Sequence, residues 1–339
     1  MPLSPLPRAA DSGDEAPDVV CVGETMAVLG PYDDHPLAGQ STVRLAIGGA
    51  ESNVACALAG LGHRAAWLSR LGDDPFGHRI LVELNTRGVC VAGVETDKER
   101  PTGVYFKDPG PHGTRTYYYR SASAATRMGP ELTRLPTLRE ARVVHLSGIT
   151  AALSETCAQL LEAIVARRAL GRPAEGGPLV SFDVNHRPTL WATRPAEAGP
   201  RLLALARAAD LVFVGRDEAE TLWGTGTPAD VAELIGAGPV VVVKDAGHGA
   251  TSYADGTATH VPALPVEVVE PVGAGDAFAA GYLAGLLEGR AERHRLRLGH
   301  LAAAAALRTR DDVPLMPTRQ ETEHHLTADD AAWATPAPR

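Results

Sequence analysis

Short, mostly apolar runs rich in β-branched residues recur along this chain, each separated from the next by an Ala/Leu-rich stretch of helical length, and that alternation restricts the fold more than any other feature. Val19-Val20-Cys21-Val22, Ala66-Trp67-Leu68-Ser69, Val143-Val144-His145-Leu146, Leu179-Val180-Ser181-Phe182, Leu211-Val212-Phe213-Val214 and residues 240–243 read as buried strands. Residues 52–61, 75–85, 154–170, 196–209 and 228–235 read as helices, and Pro75 suits a first helical turn. The order predicts an α/β fold with a mainly parallel central sheet, helices on both faces, and ligands beyond the carboxyl ends of the strands. One region breaks the rhythm. Gly103-Val104-Tyr105-Phe106 and residues 116–119 are strand-like, with Asp108-Pro109-Gly110-Pro111 as the turn between them. They predict a small β lid over about residues 101–120, joined by a strand from about 37–46. Residues 171–177 read as a surface loop.

Composition narrows the function. A net charge of -9 gives no electrostatic footprint for nucleic acid or an anionic membrane, so an anionic ligand needs a local basic pocket. Cys21, Cys56, Cys90 and Cys157 are scattered, with no pair at metal spacing, and read as free thiols of a reducing cytoplasm. The twelve histidines show no ligand spacing either, the adjacent His324 and His325 included. Residues 1–17 lack a signal-peptide apolar run and read as a disordered tail. No stretch is long and apolar enough to span a bilayer. Residues 18–317 are read as one domain, and residues 318–339 as a loosely held C-terminal tail.

The segment Pro271-Val272-Gly273-Ala274-Gly275-Asp276-Ala277-Phe278 carries the strongest chemical signal. Glycines between a strand-like run and a helix put bare N–H groups at a helix N-terminus, where they hold anions and stabilise charge on a transferring phosphoryl group. Asp276 would stand beside that site, where a carboxylate can accept the proton of a hydroxyl nucleophile. By pattern alone the segment equally fits a Gly-rich turn with an aspartate cap. A Gly-x-x-x-x-Gly-Lys-Ser/Thr loop is missing, and so is Gly-x-Gly-x-x-Gly after the first strand, which argues against P-loop and dinucleotide-binding chemistries.

The same segment resembles the C-terminal signature of the ribokinase-like (PfkB) family of carbohydrate kinases. Gly48-Gly49-Ala50-Glu51-Ser52-Asn53-Val54-Ala55 matches the family's second signature, and Leu71-Gly72-Asp73-Asp74-Pro75-Phe76-Gly77 is similar to a further pattern. The three occur in the family's order, and the resemblance covers roughly residues 19–314. Within the family, Asp183-Val184-Asn185-His186-Arg187-Pro188-Thr189-Leu190-Trp191, Tyr117-Tyr118-Tyr119-Arg120-Ser121 and His145-Leu146-Ser147-Gly148-Ile149-Thr150 resemble the subgroup that phosphorylates 2-keto-3-deoxygluconate.

The resemblance implies a three-layer ribokinase-like α/β/α fold, ATP and Mg2+ as cofactors, and transfer of phosphate to the sugar's terminal hydroxyl. It casts Asp276 as the base and Gly273, Ala274 and Gly275 as the anion-stabilising turn. Gly49 and Asn53 would hold sugar hydroxyls. Arg120 and Arg187 would take the substrate carboxylate, a role suited to the planar guanidinium, with Tyr105 and Tyr118 adding contacts and Asp312 a further one. Tyr117, Tyr118 and Tyr119 equally fit an ordinary amphipathic strand, and the period of two alone does not decide which of them faces the sugar. Taken singly, each arginine also fits a surface salt bridge. Asn185, Arg187, Lys244, Gly247, Gly249, Gly273, Gly275 and His300 are implied at the nucleotide, although a helix-surface position fits His300 better. Glu218 is implied at Mg2+ through water. Three departures from the family pattern stand out: Ala246 for a loop glycine, Gly215 for an asparagine, and Glu270-Pro271-Val272 for Asp-Thr-Thr, which bears on monovalent-cation activation. Glu24, at the end of the first strand, either faces substrate or is structural. Homo-oligomers pairing through the lid are also implied. A fructokinase- or ribokinase-type enzyme and an inactive sugar-binding regulator remain as alternatives.

Overall fold

The computed structural model describes residues 16–33, 35–111, 113–309 and 314–333. Its strands are β1 (Val19–Val22), β2 (Met26–Gly30), β3 (Arg44–Gly48), β4 (Ala65–Leu68), β5 (Arg70–Gly72), β6 (Glu95–Asp97), β7 (Val104–Asp108), β8 (Arg115–Tyr119), β9 (Val143–Ser147), β10 (Leu179–Asp183), β11 (Leu211–Gly215), β12 (Val240–Asp245), β13 (Gly249–Ala254) and β14 (Thr257–Val261). The central sheet runs β14-β13-β12-β11-β10-β9-β1-β4. From β12 to β4 every pairing is parallel, and β13 and β14 extend that edge antiparallel.

Alternate side chains of each parallel strand enter different cores, because successive residues point to opposite faces. Val20, Val22, Val144, Leu146, Val180, Phe182, Val212 and Val214 pack on one face against the helices Glu155–Leu161, Pro195–Ala208 and Pro228–Ile235. Val19, Cys21, Trp67, Leu211, Phe213 and Val242 pack on the other, against Ala50–Gly60, Pro75–Thr86, Ala274–Leu287 and Glu292–Leu307. Burial on both faces is why these strands read as continuous apolar runs. No helix of the described residues is long and apolar enough to cross a membrane.

The lid is a separate sheet, β3-β2-β7-β8, with β2 pairing antiparallel to β3 and parallel to β7. Two expectations change here. The lid strand expected near 37–46 lies at Arg44–Gly48, and Leu37–Gly39 is a short 3-10 turn. A further strand, Met26–Gly30, begins four residues after β1 ends and supplies the centre of the lid.

The expected N-terminal tail lies almost wholly outside the described residues. The described part of the C-terminal segment is not loose. Residues Arg319–Leu326 are helical, with the Thr318 hydroxyl accepting from Glu321 N and Glu321 accepting from Thr318 N at 2.8 Å, a reciprocal cap. Glu323 pairs with Arg290, and Trp333 is buried with its Nε1 donating to Pro262 O at 3.0 Å. The partners of Glu323 and Trp333 are distant in sequence, so local polarity gave the segment the appearance of a tail.

Candidate active site

Two cavities meet at the carboxyl ends of the central strands. The first, about 380 Å³, lies between lid and sheet and is lined by Gly49, Asn53, Tyr105, Tyr118, Arg120 and Asp276 among others. The second, about 1020 Å³, is walled by Ala246, Gly247, Gly249, Phe278, His300 and residues 263–266 and 268. Arg187, Glu218, Lys244, Pro271 and Gly275 line both. The two cavities therefore share a junction rich in charge.

Asp276 sits at that junction in the first turn of the helix Ala274–Leu287. Gly273 caps the helix with φ 84°, a left-handed conformation that glycine takes without strain and that turns the chain sharply into the helix. Asn53 Nδ2 donates to Asp276 Oδ2 at 2.9 Å, and Asn185 Nδ2 to Oδ1 at 3.4 Å. Burial pushes the Asp276 carboxyl up to about 7, helped by the Asp183 charge and opposed by Asn53, Arg187 and Lys244. That is the range in which a general base works near neutral pH. The amide oxygens of Asn53 and Asn185 are buried with no partner among the described residues. Orphaned acceptors beside a cavity are suited to the hydroxyls of a polyol. Gly49 caps the helix bearing Asn53, and a Cβ there would lie 2.2 Å from Glu24 O, so only glycine lets the chain pass so close.

Lys244, on β12, donates to Asp183 Oδ2 at 2.8 Å, the carboxylate being at the end of β10 and buried. Burial pushes the Lys244 ammonium down, but Asp183 and Glu218 outweigh it and hold its pKa above the ordinary value. A Cβ on Gly275 would stand 3.4 Å from Lys244 Nζ, which puts a fixed cation beside the helix N-terminus. Such a pair of donors suits a phosphoryl group. Glu218 accepts from Gly215 N at 2.9 Å, and burial raises its pKa. Arg187 Nη1 lies 3.8 Å from Glu218, with the arginine side chain half exposed.

At the far end of the first cavity Arg120 is committed to Glu24. Its Nε donates to Glu24 Oε2 at 2.6 Å, its Nη2 reaches the same oxygen, and Ser123 Oγ donates to Glu24 Oε1 at 2.5 Å. Glu24 is only 2% exposed. Arg120 stacks over Tyr118 at 5.7 Å, while its Nη1 has no partner among the described residues.

The model of the pfkB family of carbohydrate kinases matches residues 16–319. The chain belongs to that family. Among relatives of this kinase, the 2-dehydro-3-deoxygluconokinase of Bacillus subtilis is 33% identical, over 92% of this chain and 96% of that one. The 2-dehydro-3-deoxygalactonokinase of Haloferax volcanii is 33% identical, over 93% and 98%. A PfkB protein from Polaromonas sp. JS666 shares the ribokinase-like fold, with a TM-score of 0.79 and 34% identity over 91% of this chain and 99% of that one.

Of the site residues expected in this sugar kinase, Gly49, Asn53, Tyr105, Tyr118, Arg120, Asn185, Gly273 and Asp276 line the first cavity. Gly247, Gly249, Ala274 and His300 line the second. Tyr118, not Tyr117 or Tyr119, pairs with Tyr105 across the lid, their ring centroids 5.4 Å apart. His300 is not at a helix surface. It is buried, its Nε2 lies 3.0 Å from Val261 O, and burial lowers its pKa to about 4, so the ring is neutral. Ala246 adopts φ 44°, the left-handed conformation that the resemblance's glycine would take freely. Asp312 lies outside the described residues. Sequence reading gave no role to Asp183, which fixes Lys244, although it opens the segment around Asn185. It also left Glu24 open between two roles; its partner Arg120 is 96 residues away.

Proposed function

We propose that this kinase transfers the γ-phosphoryl of ATP to the terminal C6 hydroxyl of 2-keto-3-deoxygluconate or its galactonate epimer. The observation that carries the reading is the junction itself. A carboxylate held near neutrality faces the smaller cavity, and a cation and a helix N-terminus stand where that cavity opens into the larger one. The smaller cavity suits a sugar acid, with orphaned amide oxygens for hydroxyls and Arg120 and Arg187 for the carboxylate. The larger one suits the nucleotide.

In this mechanism the C6 hydroxyl donates to Asp276, which takes its proton as the oxygen bonds to the γ-phosphorus and the bond to the β-phosphate oxygen breaks, releasing ADP. Lys244 and the N–H groups of residues 273–275 face the charge that develops. No cluster of three His, Cys, Asp or Glu side chains able to hold a metal occurs among the described residues. Glu218 at the junction nevertheless fits a Mg2+ that keeps water and phosphate as its other ligands. When bound, Mg2+ neutralises phosphate charge. Lid closure over the sugar keeps water from competing with it.

Two further readings go with this one. The exposed Tyr117 and Tyr119 on β8 favour homo-oligomers formed through the lid. The buried free thiols of Cys21, Cys56 and Cys157 favour a reducing cytoplasm.

ADP release against a panel of ketodeoxy acids, ketohexoses and pentoses tests the substrate. The ketodeoxy acids are expected to give the highest kcat/KM, and a preference for neutral sugars would overturn the acid-sugar reading. The pH profile tests the base. Asp276 works only when ionised, so kcat/KM is expected to fall about tenfold per unit below pH 7 and to level off above it. A flat profile from pH 5 to 8 would remove Asp276 from this role.

A further inference from the structure

We infer that Trp333, in the C-terminal segment, is a positioning residue for the nucleotide cavity. The inference rests on reading the larger cavity as the ATP site.

Two consecutive carbonyls at the end of β14 are held from outside the sheet. His300 Nε2 donates to Val261 O at 3.0 Å; the carbonyl can only accept, so the proton sits on Nε2. Trp333 Nε1 donates to the next carbonyl, Pro262 O, at 3.0 Å. From Pro262 the chain runs through residues 263–266 and 268, which line the larger cavity, to the catalytic turn at Gly273. The two rings thus anchor the root of the cavity's outer wall.

They also hold each other. Phe278, two residues beyond Asp276 and lining the same cavity, meets His300 edge-on at 5.1 Å. Trp333 also meets His300, with ring centroids 6.4 Å apart and the planes tilted at 60°. Trp333 is itself fixed by Arg297, a buried guanidinium 4.7 Å above its ring. Arg297 also donates to Leu326 O at 3.0 Å and to Ala328 O, so a cation closes the carboxyl end of the helix Arg319–Leu326. None of these residues lines the sugar cavity, and Trp333 lines neither cavity. Its most direct route to the reaction is therefore through the nucleotide wall.

The test compares ADP binding by calorimetry, and KM for ATP and for 2-keto-3-deoxygluconate, in the wild type, Trp333→Phe and Trp333→Ala. Trp333→Phe keeps a ring against His300 and loses only the donor to Pro262 O. It is expected to weaken ADP roughly two- to tenfold, the value of one hydrogen bond, with sugar KM within about twofold of wild type. Folded Trp333→Ala is expected to weaken ADP further. Trp333→Phe decides the matter even where the alanine variant does not fold. Wild-type ADP affinity in Trp333→Phe would overturn the inference, and so would a parallel rise in both KM values, which marks general loosening. A wild type that binds no ADP would overturn the inference together with the nucleotide reading beneath it.

Discussion

Asp276→Asn is expected to lower kcat by about 10²–10⁴-fold while leaving the KM for ATP within about twofold. Asparagine keeps the shape and the hydrogen bond from Asn53, and the unpartnered amide oxygen of Asn185 can turn to meet the new NH2 group. What is lost is the ability to take a proton. The same substitution is expected to make the protein more stable at pH 8. Burial raises the Asp276 carboxyl from its ordinary 3.8 to about 7. For an acid whose folded pKa is raised, the folded state binds the proton more tightly than the unfolded one. Its contribution is fully favourable below about pH 3.8 and is lost as pH rises through 7. Above that, the ionised carboxylate stays buried at a cost that asparagine avoids. Thermal melts at pH 8 and steady-state assays of the same preparation check both halves. Near-normal turnover would remove the proposed mechanism, and unchanged melting would show that the carboxyl is not strained by burial.

The second large effect is expected at Arg120. Arg120→Ala should lower kcat/KM for 2-keto-3-deoxygluconate by roughly 10²-fold or more, the scale of a truncated charged hydrogen-bond partner, and affect fructose far less. It should also destabilise the protein by about 3–5 kcal/mol, because Glu24 is left buried without its cation. The two consequences are separable. Glu24→Gln combined with Arg120→Ala removes the stranded charge, so it should recover most of the stability and none of the preference for acids. The pairing also defines what Arg120 offers a substrate. With Glu24 balancing its charge, recognition under the proposed function would fall to Nη1 and the stacked Tyr118 rather than to a free positive charge. Equal loss on fructose and on the ketodeoxy acid would mean that Arg120 is there for the fold.

The parts that were legible in the sequence are those whose physics is local. Strands β1, β9, β10 and β11 stand out because burial on both faces demands unbroken apolar runs. The turn at Gly273 and the helix after it are written in consecutive residues. The illegible parts depend on distant ones. β2 went unread because Met26–Gly30 follows β1 after only Gly23-Glu24-Thr25, with no helix between the two strands, although they belong to different sheets. β14, at the sheet edge, is mostly exposed, and the outer half of β13 is only partly buried, so neither shows the unbroken apolar run of a central strand. The packing around His300 and at the C-terminal segment includes the contact with Trp333, 33 positions from His300 in the numbering. The geometry of Arg120 was illegible for the same reason, since it is set by Glu24 on the loop between β1 and β2.

The lid is assembled from two separate excursions of the chain, one between β1 and the helix Ala50–Gly60 and the other between β6 and β9. Its central strands β2 and β7, one from each excursion, lie side by side. A lid of this construction cannot be transplanted as a single cassette. A chimera that imports a relative's sugar preference must exchange both excursions together, with Glu24 travelling on the first and Arg120 on the second. Exchanging either alone would mismatch the β2–β7 seam and break the ion pair that spans it.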